Sequence, residues 1–188
     1  MTRIVAVLGS VTPPGRFSSA ITAAVARANG AGHEVELLDL ANLRLDFADG
    51  RPAADHDDDS ARVIDLFSNA EAVLLASPVY RGTYTGALKN LLDLMPIEAL
   101  QGKPAGIVAM GATQHHFLGV DSHLRDVLAW FGALVAPTSV YLTSADFVDG
   151  TLSDAASAQL DSLVGALAAL AGAGLSGLGP SPFAAGRG

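Results

Sequence analysis

The segment Ser77-Pro78-Val79-Tyr80-Arg81-Gly82-Thr83-Tyr84-Thr85-Gly86-Ala87-Leu88-Lys89-Asn90 decides how this chain is read. An apolar run, Ala72 to Ala76, precedes it and reads as a buried strand. A helical pattern, Leu88, Leu91, Leu92 and Met95, overlaps its end. A strand therefore opens through small, aromatic and cationic residues into a helix. In open α/β sheets ligands bind at the carboxyl edge of the strands. Backbone N–H groups, hydroxyls and aromatic faces meet there, the mixture that a flat heterocycle with polar edges needs. The plainer reading makes Tyr80 and Tyr84 half-buried aromatics and lets Lys89 and Asp93, at i and i+4, pair with each other.

The same alternation runs outward in both directions. Upstream, a first strand covers about Arg3–Gly9, a helix Phe17–Ala28 and a second strand Glu34–Leu38. Loop-like sequence from Ala41 to Asp57 leads to a helix over Ser60–Ser68 and the third strand, Ala72–Ala76. Downstream come a helix over Tyr84–Leu94, a fourth strand Ala105–Met110, a helix Phe117–Phe131 and a fifth strand Leu134–Leu142. The last helix spans Ser153–Ala171, with Ser153 as its cap and Asp154 favouring its dipole. Strands alternating with helices predict an α/β three-layer sandwich, a five-stranded parallel sheet with helices on both faces. Such units fit a flavodoxin-like order, 2-1-3-4-5. One domain is expected over residues 1–171. The Gly-, Ala-, Pro- and Ser-rich tail, 172–188, is expected to be mobile, or ordered only against a neighbouring subunit.

Composition narrows the chemistry. The 188 residues suit one domain with a single core, and half of them are apolar. The net charge of −8 argues against a nucleic-acid footprint. There is no cysteine, which excludes disulfides, thiolate nucleophiles and thiolate metal sites. Redox chemistry would belong to a bound cofactor. The apolar runs are short for a bilayer, and Ile4 to Gly9 reads as a strand rather than a signal peptide, so a cytoplasmic protein without a membrane segment is expected. No metal site is expected. His115 and His116 are adjacent and do not share a helix face. The Asp55–Asp59 run around His56 lacks the Gly and Glu of an EF-hand and reads as a solvated loop or helix start.

Two further loops lie on the edge where Ser77–Asn90 lies. Gly9-Ser10-Val11-Thr12-Pro13-Pro14-Gly15-Arg16-Phe17-Ser18-Ser19 joins the first strand to the first helix. Its hydroxyls cluster around Arg16, and Ser18 and Ser19 sit where free N–H groups favour an anion such as a phosphomonoester. A polar turn with serine caps uses the same residues. Neither a Walker loop nor Gly-x-Gly-x-x-Gly is present. Gly111-Ala112-Thr113-Gln114-His115-His116 ends the fourth strand and lets backbone N–H groups approach a ring's polar edge. A Ser-His-Asp hydrolase is poorly supported, because Ser77 precedes Pro78 instead of sitting in a nucleophile elbow.

Together these loops resemble the NAD(P)H-dependent FMN reductase family of flavodoxin-like proteins. The likeness carries Gly9-Ser10, Arg16 and Ser18-Ser19, then Ser77-Pro78-Val79-Tyr80, Gly86-Ala87-Leu88-Lys89-Asn90-Leu91-Leu92-Asp93, Leu100-Gln101-Gly102-Lys103-Pro104 and Gly111-Ala112-Thr113. It extends over about Arg3 to Leu170 and is closest to reductase components of two-component alkanesulfonate and methanesulfonate monooxygenases. The resemblance implies that Ser10, Arg16, Ser18 and Ser19 hold the FMN phosphate. It implies that Pro78, Val79, Tyr80 and Arg81 line the isoalloxazine, and that Gly111, Ala112 and Thr113 meet its pyrimidine side. It implies hydride transfer from NAD(P)H to FMN with no catalytic side chain, a homodimer or homotetramer, and a flavin-dependent monooxygenase as partner. The chain departs from the sulfonate-type pattern at Ser122, where Tyr or His is usual, and at Pro13-Pro14. Competing readings are an FMN-dependent quinone, azo or metal-oxyanion reductase, a flavodoxin-like electron carrier, and a flavin-free binding module.

Overall fold

A computed structural model describes residues 1–174 and 179–180. Its elements are β1 (Arg3–Leu8), α1 (Arg16–Gly30), β2 (Glu34–Asp39), α2 (Ser60–Asn69), β3 (Ala72–Pro78), α3 (Gly86–Leu94), β4 (Pro104–Met110), α4 (Phe117–Trp130), β5 (Leu134–Val135), β6 (Val140–Leu142), β7 (Phe147–Val148), β8 (Thr151–Leu152) and α5 (Asp154–Gly172). The main sheet runs β2-β1-β3-β4-β5, with β6 also on β4, and every pairing in it is parallel. This is the flavodoxin-like order. The chain leaves β1 toward β2 and returns past it to β3, so the order reverses between β1 and β3. Ligands of open α/β sheets bind at such a reversal.

β3 is buried on both faces, which is why it reads as an uninterrupted apolar run instead of an alternation. Val73 and Leu75 pack with Phe67 of α2, Leu88 and Leu91 of α3, and Leu124 of α4. Leu74 and Ala76 face the other way, onto Phe17 and Ile21 of α1 and Leu160 and Val164 of α5. Three layers result, and the helices on both faces hold the strand ends at fixed heights.

The structure departs from the expected elements in four places. The fifth strand is not continuous over 134–142; β5 pairs with β4 at Pro104–Ala105 and β6 at Val108–Met110. Pro137 lies between them and has no N–H for a ladder. α3 starts at Gly86 rather than Tyr84, because the Thr85 hydroxyl accepts from Leu88 N (3.1 Å) and caps it. An antiparallel hairpin, β7–β8, follows the main sheet. Its turn is Asp149-Gly150, with φ of 49° and 80°, the Asp-Gly signature of a two-residue hairpin. Finally, α5 is long and apolar enough, by length and composition, to cross a bilayer, although no single run in it looks so. Here it serves as a core helix, burying Leu160, Leu163, Val164 and Leu167. Of the tail expected to be mobile, 172–188, Gly172 ends α5, and 175–178 and 181–188 lie outside the described residues.

Candidate functional site

The carboxyl ends of β1, β3 and β4 are neighbours in the sheet, and each opens into one of the three loops. In the first, Gly9 N donates to Ala76 O (2.7 Å), tying β1's exit to β3. Ser10 is buried, with its hydroxyl 2.7 Å from that of Thr12. Gly15 is the N-cap of α1 and supplies no side-chain acceptor, so the first-turn N–H groups are not capped from that position. The Ser18 hydroxyl turns back, donating to Gly15 O (2.7 Å) and accepting from Gly15 N (2.9 Å). Ser19 N donates to Gly15 O (3.0 Å). Arg16 is exposed; its guanidinium carbon stands 5.7 Å from the centre of the Phe147 ring. That aromatic contact, worth about 0.5–1 kcal/mol at an exposed site, steadies the guanidinium and leaves its N–H fork for an anion.

The second loop is a pinned hairpin. Val79 N donates to Met110 O (2.8 Å), extending the ladder past Pro78. Tyr80 and Thr83 then exchange both backbone bonds, at 2.8 and 3.1 Å, around Arg81 (φ 52°) and Gly82 (φ 82°). Positive φ at both central positions is the I′ turn, which Asn-Gly fills best. Arginine in that conformation costs about 1–2 kcal/mol. α4 holds the turn from outside. His123 Nδ1 lies 2.8 Å from the Thr83 hydroxyl, and a Cβ on Gly119 would stand 2.3 Å from Gly82 O. Only glycine lets the helix approach this closely. Thr85 braces the base of the loop. Its N donates to the buried Ser77 hydroxyl (3.1 Å) and its hydroxyl donates to Gly9 O (2.5 Å). Ser77 and Thr85 are thus structural, and Thr85 joins the first loop to the second. The two tyrosines have different surroundings: Tyr84 is in the core, whereas Tyr80 is 46% exposed. Arg81→Asn is expected to raise thermal stability by up to about 1 kcal/mol. A Tm that stays unchanged or falls would show that Arg81 is not strained there.

In the third loop, Gly111 N donates to Leu142 O (3.0 Å), and the Tyr141 hydroxyl donates to Thr113 O (2.7 Å). A Cβ on residue 111 would fall 2.1 Å from the Tyr141 oxygen, so the phenol and the loop interlock. Phe117 packs edge-on against Tyr141, ring centres 5.7 Å apart. Burial pushes the Tyr141 phenol above its ordinary pKa, which keeps it a donor through neutral pH. Ala112 and Thr113 remain exposed beside Pro78, whose partner in the sheet is Met110.

The residues expected from the sequence therefore fall into three adjacent groups on one edge. Ser10, Arg16, Ser18 and Ser19 surround the start of α1. Pro78, Val79, Tyr80 and Arg81 form the outer turn, and Gly111, Ala112 and Thr113 adjoin it. Sequence reasoning missed the buttresses Thr85, His123, Tyr141 and Phe147. Of these only Thr85, a Thr just before a helical pattern, carried a local signal. Ser122, where the family pattern departs, is exposed on α4, and it is the adjacent His123 that reaches the turn. Beside the edge lies an apolar cleft of about 400 Å³, walled by Val11, Leu40, Leu43, Leu45, Phe47 and Ala87.

The sheet order and the placement of these loops define a flavodoxin-like domain, with the three loops at the β1–β3 reversal. The chain belongs to the NADPH-dependent FMN reductase family, whose family model matches residues 2–147. An FMN reductase (NADPH) of Escherichia coli is 33% identical over 148 residues, covering 78% of this chain and 76% of that protein. An NAD(P)H-dependent FAD/FMN reductase of Geobacillus thermodenitrificans is 41% identical over 108 residues, 57% of this chain and 58% of its own length. Against several curated relatives the chain spans only about half of their length. Among solved structures, an apo NADH:FMN oxidoreductase (EMOB) superposes with a TM-score of 0.74 and 26% identity, over 97% of this chain and 94% of that one.

Proposed function

We propose that the chain reduces FMN with NAD(P)H, binding the flavin on the β1–β3–β4 edge. The observation that carries this reading is the setting of Arg16. It stands beside a helix N-terminus whose cap residue has no side-chain acceptor, with an aromatic platform and no carboxylate partner among the described residues. A phosphate there would be met by the guanidinium fork, the first N–H groups of α1 and the Ser10–Thr12 hydroxyl pair. Ser18 would contribute its N–H, and its hydroxyl only after leaving Gly15.

FMN supplies the redox chemistry when bound, accepting a hydride at its ring. The chain's own residues position and polarise. Pro78, Val79 and Tyr80 offer one wall for the ring system. The N–H groups of Ala112 and Thr113, which have no acceptor among the described residues, would meet an electron-rich edge of the ring and stabilise negative charge developing there. Tyr141 holds that loop through the Thr113 carbonyl. No acid–base pair is needed, and the exposed Tyr80 would offer an aromatic surface for the ring system or the nicotinamide.

Val11, Phe47, Tyr80 and Leu118 are exposed apolar residues, Val11 and Phe47 lining one cleft, and such surface supports a homodimer or homotetramer. A cytoplasmic flavin-dependent monooxygenase that consumes the reduced flavin is the partner that fits this role. Arg16→Ala is expected to weaken FMN binding about tenfold or more, with little change in riboflavin binding, because a charge-assisted phosphate contact is worth about 1.5–3 kcal/mol. Flavin fluorescence titrations read both. Equal losses for FMN and riboflavin would remove Arg16 from the phosphate site. NADH and NADPH oxidation with FMN, a quinone or an azo dye as acceptor tests the activity itself. A protein that oxidises neither nucleotide in the presence of FMN is not a reductase.

A further inference from the structure

The acidic loop between β2 and α2 holds a group that the flavin reading does not use. His56 has a side chain that is 0% exposed, and neither of its ring nitrogens has a hydrogen-bond partner. Buried polar atoms are paired as a rule, so an imidazole with two idle nitrogens wants a ligand. Two carboxylates share its pocket. One ring nitrogen of His56 and one carboxylate oxygen each from Asp46 and Asp58 lie within 4.8 Å of one another. Asp49 does not fill the gap: its oxygen is 3.6 Å from His56 Nε2, and its carboxylate is held by Arg51 at 2.8 Å.

We propose that Asp46, His56 and Asp58 form a site for a first-row divalent cation of the zinc class. One imidazole nitrogen and two carboxylate oxygens, with water completing the shell, is a donor set that zinc accepts. Calcium and magnesium prefer all-oxygen shells, so the imidazole selects against them. Two carboxylates balance the charge of the ion. The supporting contacts are also in place. The Asp58 oxygens accept from Asp46 N (2.6 Å) and Ser60 N (2.8 Å), which orients that carboxylate. Arg44, 3.8 Å from Asp46, is largely exposed and free to swing away. Ligand atoms around zinc stand roughly 3.3 Å apart, given bonds of about 2.0–2.1 Å, so binding would draw this triangle inward. The sequence hides the set, because Asp46 lies far upstream of the Asp55–Asp59 run.

The site sits where an ion would tie the two arms of one loop together. Asn90 of α3 grips the same loop, accepting from Ala48 N and donating to Asp46 O, each at 3.0 Å. An ion there would fix the wall of the apolar cleft against α3 without touching the three-loop edge. This inference therefore stands independently of the flavin reading.

The test is thermal unfolding of the full chain after dialysis against chelator, with added Zn²⁺ or Mg²⁺, beside His56→Gln and Asp46→Asn. Zn²⁺ at about 100 times its Kd is expected to raise the wild-type Tm by about 5 °C or more. Mg²⁺ should do little, both variants should lose most of the rise, and the wild type should retain about one zinc per chain. Asp46→Asn removes only a ligand charge at a half-exposed position, so it reports even if His56→Gln does not fold. No rise in the wild type overturns the proposal. So does an equal rise in all three proteins, which would place zinc on other histidines.

Discussion

Gly111→Ala is expected to weaken FMN binding about tenfold or more and to lower stability by about 1–3 kcal/mol. The added methyl would have to occupy space 2.1 Å from the Tyr141 oxygen, which no Cβ can share. Either the phenol swings out and Thr113 O loses its 2.7 Å donor, or the loop lifts away from β4. Both outcomes disturb the backbone at Ala112 and Thr113, the part of the edge proposed to face the flavin ring. Tyr141→Phe alone removes only the hydrogen bond, about 1 kcal/mol, and should cost FMN a few-fold. Combined with Gly111→Ala it should recover part of the loss, because the oxygen that clashes is gone. The two changes should then be clearly non-additive in a double-mutant cycle read by flavin fluorescence and thermal unfolding. Additive losses would mean that the phenol and the glycine act separately. A wild-type Kd for Gly111→Ala would remove the third loop from the site.

Thr85→Val is expected to produce the larger loss of stability, about 2–4 kcal/mol, or roughly 5–15 °C in Tm for a chain of this size. The shape is conserved, but one hydroxyl serves two buried groups. It caps Leu88 N at the start of α3 and donates to Gly9 O at the exit of β1. Valine leaves both unpaired out of water. Ser in place of Thr keeps both bonds and should recover most of the stability. FMN affinity should fall with Thr85→Val as well, since the first and second loops lose their shared brace. A Tm within about 1 °C of wild type would show that the hydroxyl is not the link described.

The fold was legible because its central strands carry the signal twice. β1, β3 and β4 are buried on both faces, so their runs are uninterrupted, and Gly- and Pro-rich loops punctuate them. The fifth strand was harder. Pro137-Thr138-Ser139 breaks its pairing, but apolar residues flank it on both sides, so the nine residues read as one strand. The β7–β8 hairpin announced itself only by Asp149-Gly150, between strands too short to show an alternation. At the proposed site, the exposed residues Arg16, Tyr80 and Thr113 stand in local motifs, which is what singles them out in the sequence. Their buttresses do not, since Tyr141, His123 and Phe147 act across the fold, and nothing in their own neighbourhoods distinguishes them from ordinary core or surface residues. His56 is the reverse case. Its acidic neighbours suggested a solvated loop, and only the tertiary structure shows that its ring is buried.

The approach of Gly119 to Gly82 bears on kinetics. Two backbones in contact leave no side chain to rotate aside, and His123 and the I′ turn fix the remaining freedom of that tip. The outer wall is therefore formed before any ligand arrives. A flavin docking there would order itself and displace water, with little chain entropy lost by the protein. Association should then run near the rate of an unhindered encounter, and differences in affinity among variants of this edge should appear mainly as differences in how fast the flavin leaves.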